Sequence, residues 1–175
     1  MGEALNRKTK IDSEINTMVK TEKKVFLAII IKETMVDRSL GSTGFSKSKR
    51  EKFKQAIEVA VNKLTDSVDR NKIKNRDIRK QIMLVCKKTG ASVGQAQKVI
   101  NTYLKFYCFV SDKRKALKEL DCPLDSTTMN RKQKMKDVKK KDYGRYQEAF
   151  EAKHGLRILE DLEYDRKRIK ETFGN

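Results

Sequence analysis

KKTGASVGQAQKVINTYLKFY, Lys87 to Tyr107, decides the fold. Before it, Ile78, Ile82, Met83, Val85 and Cys86 recur at helical spacing. Two lysines and Gly90 then stand where a helix C-terminus favours cations and a left-handed cap. After it, Ala96, Val99, Ile100, Tyr103, Leu104, Phe106, Tyr107 and Phe109 make the most apolar helix of the chain. The stretch therefore predicts two helices joined by a glycine turn, with the second helix central.

Outward from it, the same period recurs. Ser46 is a good cap for a helix over about 47–69, whose inner face is Phe53, Ile57, Ala60, Val61, Leu64 and Val68. An earlier helix is expected over about 13–37. Its run Val25–Ile31 is apolar nearly all round, which implies burial on several sides. Ser111 or Asp112 is expected to cap a short basic helix, KRKALKEL, and Cys122-Pro123 forces extended backbone. A last helical region spans about 142–172, anchored by Tyr146, Phe150, Leu156, Leu159, Leu162 and Ile169 and divided at Gly155. No strand pattern appears. The expected class is all-α: a basic tail over 1–12, a helical core over 13–130, a basic linker or helix over 131–141 and a C-terminal helical segment over 142–175 packing on the core.

Charge narrows the function. The 175 residues hold 42 Lys and Arg against 24 acids, a net +18. A compact chain so charged repels itself and favours a polyanionic partner, nucleic acid first. The longest apolar run is too short to span a bilayer, so no membrane partner is expected. MGEALNRKTK lacks the apolar core of a signal peptide. Three cysteines without a CxxC spacing point to reduced thiols in a cytosolic compartment, with Cys86 and Cys108 as core residues. No metal site, cofactor motif, P-loop or Ser-His-Asp set is present, and no cofactor is expected. His154 reads as a helix-end residue, and Asp161, Glu163 and Asp165 as partners in helical salt bridges with RKRIK.

The turn reads as a phosphate site. A helix N-terminus offers unpaired N–H groups and a positive dipole end, and Gly94 lets a ligand approach the backbone closely. Candidate nucleic-acid-binding residues here are Lys87, Lys88, Gly90, Ser92, Val93, Gly94, Gln95 and Gln97. Basic clusters add Arg76, Arg79, Lys80, Lys113, Arg114, Arg131 and Lys132. If about six phosphates are neutralised, affinity falls roughly as the fifth to sixth power of salt concentration. Tyr143 and Tyr146 are candidates for base stacking or for helix anchors.

Two helices joined by this turn resemble a helix-hairpin-helix motif, which grips one DNA strand through backbone N–H groups. Ser92-Val93-Gly94 stands where that motif shows glycine-apolar-glycine. KVINTYLK followed by CPLDSTT also resembles the core-helix lysine and the proline-apolar-aspartate of helix-hairpin-helix DNA glycosylases, over residues 80–130. The resemblance implies Lys98 as a nucleophile that forms a Schiff base with the sugar, and Asp125 as the carboxylate that activates it. The segment from SVGQAQK to DYGRY is also similar to uncharacterised bacterial and phage proteins. Three readings follow. One is a DNA glycosylase or lyase. Another is a non-enzymatic DNA- or RNA-binding protein of architectural, replication or phage regulatory type. The third is a homo-oligomer or protein-partner module that uses the apolar Val25–Ile31 face.

Overall fold

The structure, a computed structural model, describes residues 45–125, 128, 129, 134 and 137–173, and six N-terminal positions: 13, 14, 18, 22, 25 and 26. Those six are helical. Val25 and Phe26 are 47% and 52% exposed, which corrects the burial expected for them. The rest of that apolar run, and Arg131 and Lys132, lie outside the described residues.

Among the described residues the fold is all-α, without strands. Its elements are α1 (Lys47–Asp69), α2 (Asn75–Thr89), α3 (Val93–Val110), a 3-10 helix (Arg114–Glu119), α4 (Lys140–His154) and α5 (Leu159–Phe173). Helices α1, α2 and α3 pack on one another, and α3 also meets the 3-10 helix and α4.

Apolar spacing and caps explain the three-helix body. Ser46 Oγ accepts from Lys49 N–H and starts α1, whose six predicted inner residues are all buried. Ile78, Ile82 and Val85 of α2, and Val99, Ile100 and Leu104 of α3, close the same core. Phe109, expected in that core, is 48% exposed at the end of α3. Gly90 ends α2 in the left-handed region at φ 66°, which only glycine adopts cheaply. Ser92 starts α3 through a capping box: its Oγ accepts from Gln95 N–H, and Gln95 Oε1 accepts from Ser92 N–H. Ser92, Val93 and Gly94 are thus the cap and first turn of α3, and the hinge glycine is Gly90.

KRKALKEL folds as a 3-10 turn. Neither Ser111 nor Asp112 caps it; Lys113 stands at its N-terminus without a side-chain cap. Beyond it, Leu120–Asp125 runs extended and buried through Leu124, as the proline requires. Two glutamines hold this strap. Gln97 Nε2 donates to Leu124 O at 2.9 Å, and Gln97 Oε1 accepts from Leu124 N–H at 3.0 Å. Gln147 makes the same pair of bonds with Cys122, both at 2.8 Å. Each amide supplies the donor and acceptor a neighbouring strand would have supplied. Gly155, at φ 76°, separates α4 from α5. Leu156 and Ile169, expected as anchors, are 38% and 55% exposed.

Candidate nucleic-acid interface

Three helix N-termini meet at one end of the bundle. The α2–α3 turn brings the start of α3 there. The first turn of α1 arrives beside it: Lys49 Nζ lies 3.6 Å from the point where a side chain on Gly90 would begin. The start of α4 completes the group. Residues 91–93 and 137–140 line an open hollow of about 430 Å³ between the beginnings of α3 and α4. Lys49, Lys87, Lys88, Lys139 and Lys140 surround this end, against Asp137 and Asp142. The positive ends of three helices and the ammonium groups attract anions, opposed by the negative end of α2, which closes at Gly90 in the same place.

The turn does not present its groups as the sequence suggested. Gly94 is buried, and its N–H points at Val138 O, 3.4 Å away, so the close approach it permits is that of the chain's own residue 138. Gln95 is 3% exposed and held in the capping box. Gln97 is fully buried and committed to the strap. These three are corrected from ligand contacts to structural parts. Gly90, Lys87 and Lys88 are exposed, and Ser92 and Val93 are half-exposed at the rim of the hollow.

The remaining basic candidates do not join this end. Arg76 lies eleven residues back along α2 from Lys87, about 16 Å at 1.5 Å per residue. Arg79 is committed to Asp121, with Nε 2.9 Å from its carboxylate. That bond, against the cost of burial, holds the guanidinium above its ordinary range. Lys113 donates to Asp69 O and Arg114 pairs with Asp112, both at the far end of α3. Arg76 and Lys80 are exposed along α2. The predicted basic surface therefore divides between the two ends of the bundle. Tyr143 is no stacking platform: it is 2% exposed and donates its hydroxyl to Asp121 at 2.6 Å. Burial and that carboxylate push its phenol far up.

The structure brings Lys98 and Asp125 together. Lys98 Nζ lies 3.7 Å from Asp125 Oδ2, with side chains 26% and 27% exposed. The strap explains the meeting. Gln97 grips Leu124, so the next residue on each segment is carried to the other. Asp125 also shapes its own turn: Oδ1 accepts from Thr128 N–H at 3.0 Å, and Asp125 N–H donates to Thr128 Oγ1 at 2.8 Å. One carboxylate oxygen holds the turn while the other faces the lysine.

Sequence reasoning missed the charged group beside this pair. Lys105 stands seven residues after Lys98, hence on the same face of α3 two turns on. Its ammonium is buried and donates to Asp161 at 2.5 Å and Asp165 at 2.6 Å. These carboxylates therefore serve α3, and Glu163 faces His154 Nδ1 at 3.4 Å, which corrects their assignment to RKRIK. Burial would lower Lys105, but its two carboxylates outweigh it and hold the lysine above its ordinary range. Asp161 is raised by burial first, with Asp165 and Asp125 pushing the same way against Lys105. The signal in the sequence was a lone charge in an otherwise apolar helix stretch, YLKFYCF, with an i, i+4 carboxylate pair elsewhere. Asp121 is the other hidden centre. Fully buried, it accepts from Asn75, Arg79 and Tyr143 and pairs with Arg157 at 2.7 Å.

Among the described residues, no cluster of three metal-ligating side chains occurs, and no helix is long and apolar enough to cross a membrane. No family model, no curated protein and no solved structure matches the chain.

Proposed function

We propose that the protein binds nucleic acid, DNA first, by gripping the phosphate backbone at the end where α1, α3 and α4 begin. The observation that carries this reading is an open hollow between the starts of α3 and α4, lined by Lys139 and Lys140, with Lys49 from the first turn of α1 beside Gly90 and Lys87 and Lys88 in the turn of α2 that precedes it. Each N-terminus is worth little alone, about 0.3–1 kcal/mol toward an anion at an exposed site. Their sum with the ammonium groups suits a polyanion better than a single small ligand. Such binding is independent of sequence, because phosphates are the same at every base. The test is a salt titration of affinity for duplex DNA. Lys87→Gln, Lys88→Gln, Lys139→Gln and Lys140→Gln together (the basic-end variant) should weaken binding and flatten the salt dependence by roughly one power per lost phosphate contact. Wild-type affinity in that variant would overturn the reading.

A second reading has its own observation. The 3.7 Å approach of Lys98 to Asp125 is the pairing that the glycosylase resemblance implies. In a lyase, Lys98 attacks the sugar as the free amine. Borohydride trapping on abasic duplex should then give a covalent adduct that disappears in Lys98→Ala. Absence of an adduct, with unchanged affinity of Lys98→Ala, leaves the non-enzymatic binder standing.

A further inference from the structure

Helix α5 is fastened at its base and bare at its tip. Its first two turns are held by Asp161 and Asp165 on Lys105, and by Glu160 on Lys153 and His154. Leu162 packs against the core. From Arg166 to Thr172 every residue is exposed, including Ile169, so the helix leaves the body and faces solvent on all sides. Helical segments normally owe their stability to a packed face, and among the described residues, 166–172 show none. What it carries is charge: Arg166, Lys167, Arg168 and Lys170 against Glu171, with Lys167 only loosely paired to Glu171 at 3.9 Å. The projecting part, residues 166–172, is about 10 Å long at 1.5 Å per residue.

We infer that this basic tip is a second contact with duplex DNA, lying in the major groove, in addition to the backbone grip where α1, α3 and α4 begin. The inference rests on the nucleic-acid reading above. Three features favour this occupant. A lone helix fits the major groove of B-form DNA, about 12 Å wide and 8.5 Å deep. The four cations spread over about 200° of the helix circumference at 100° per residue, an arc that suits a groove walled by phosphates on both edges. A flat protein or lipid surface would be met by one face only, and the other cations would remain in water. Double-stranded RNA has a deep, narrow major groove that side chains cannot read, so the tip should prefer DNA.

The experiment compares three forms of the full chain: wild type, the basic-end variant above, and a tip variant carrying Arg166→Gln, Lys167→Gln, Arg168→Gln and Lys170→Gln. Glutamine keeps nearly the helix propensity of lysine and arginine, and circular dichroism checks that the helix persists. A single Lys170→Glu variant repeats the measurement with least disturbance. The probes are a short DNA duplex, an RNA duplex of the same sequence, and vesicles of anionic lipid. The tip variant should lose about tenfold or more in affinity for duplex DNA, and its salt slope should flatten by roughly 3 to 4. Its loss on duplex RNA should be much smaller. Wild-type affinity in the tip variant, with loss in the basic-end variant, overturns the tip contact and leaves the backbone grip intact. Loss in the tip variant alone upholds the tip and overturns the placement of the grip. Equal losses on DNA and RNA overturn the groove contact. Binding of the wild type to vesicles but to neither duplex overturns both.

Discussion

The Gln97 side-chain amide pairs with both backbone groups of Leu124, at 2.9 and 3.0 Å. This fastens the extended strap to the central helix and sets Asp125 opposite Lys98. Gln97→Leu would leave a buried N–H and a buried C=O unmatched. Each such group costs about 1–3 kcal/mol, so a loss of about 2–6 kcal/mol is expected in urea unfolding, with an unchanged m value. If Gln97→Leu unfolds at the wild-type midpoint, the strap is held by apolar packing alone.

Lys105 neutralises two carboxylates in a buried place. Lys105→Met removes the only cation seen to touch Asp161 and Asp165 among the described residues. The expected cost at neutral pH is about 3–5 kcal/mol, as for other buried pairs broken on one side. The pH dependence has a definite sign. The folded lysine sits above its ordinary 10.5. Its contribution is therefore complete below that pH and is lost as pH rises through the folded value. The gap in stability between wild type and variant should thus close on the alkaline side as the lysine loses its proton, and narrow on the acid side as the stranded Asp161, already raised by burial, takes one up. Replacing Asp161 and Asp165 by Asn in the Lys105→Met background should recover much of the loss, because the stranded charges go with them.

Glu160 titrates in the other direction. Burial alone would raise it, yet bonds from Lys153 and His154 win, and the folded carboxyl lies below its ordinary 4.5. It therefore contributes stability above pH 4.5, and that contribution is lost as pH falls through the folded value. Chemical denaturation of wild type and Glu160→Gln across the acid range should show curves that converge below pH 4.5. Parallel curves would mean that the α4–α5 corner draws nothing from this charge.

The thiols should differ in reactivity. Cys108 and Cys122 are buried and Cys86 half-buried, all three free. Burial raises Cys86 and Cys108 to about 11 and Cys122 well beyond that. The thiolate is the nucleophile, so an aromatic disulfide reagent at pH 8 should react slowly with Cys86 in the native chain. Cys108 and Cys122 should react only on unfolding. Fast reaction at Cys122 would show that the strap opens on the timescale of the assay.

What the sequence disclosed and what it hid divide along a physical line. Helix α1 was legible to its ends because apolar spacing and the Ser46 cap are local signals. The Gly90 turn and the extended Cys122-Pro123 stretch were legible for the same reason, as was the division at Gly155. Gln97, Gln147 and Lys105 were not. A polar residue on a helix looks solvent-facing to any periodicity argument, and its burial depends on a partner tens of residues away. Gly94 was misread through a related gap. Glycine permits a close approach, but nothing nearby says whether a ligand or the chain's own residue 138 will make it. For the candidate site, the lysines of the turn and the Lys98–Asp125 couple were named from the sequence. The pairing of Arg79 with Asp121, which removes a cation from the surface, was not.

Asp121 gathers groups from residues 75, 79, 143 and 157 around one buried carboxylate. That arrangement sets the smallest piece able to fold. A fragment stopping short of α4 retains the α1–α3 bundle but strips Tyr143 and Arg157 from the carboxylate, and Gln147 from the strap. Bundle and C-terminal helices should therefore melt in a single cooperative step, and the slowest-exchanging amides should include some that lie well past the last residue of α3.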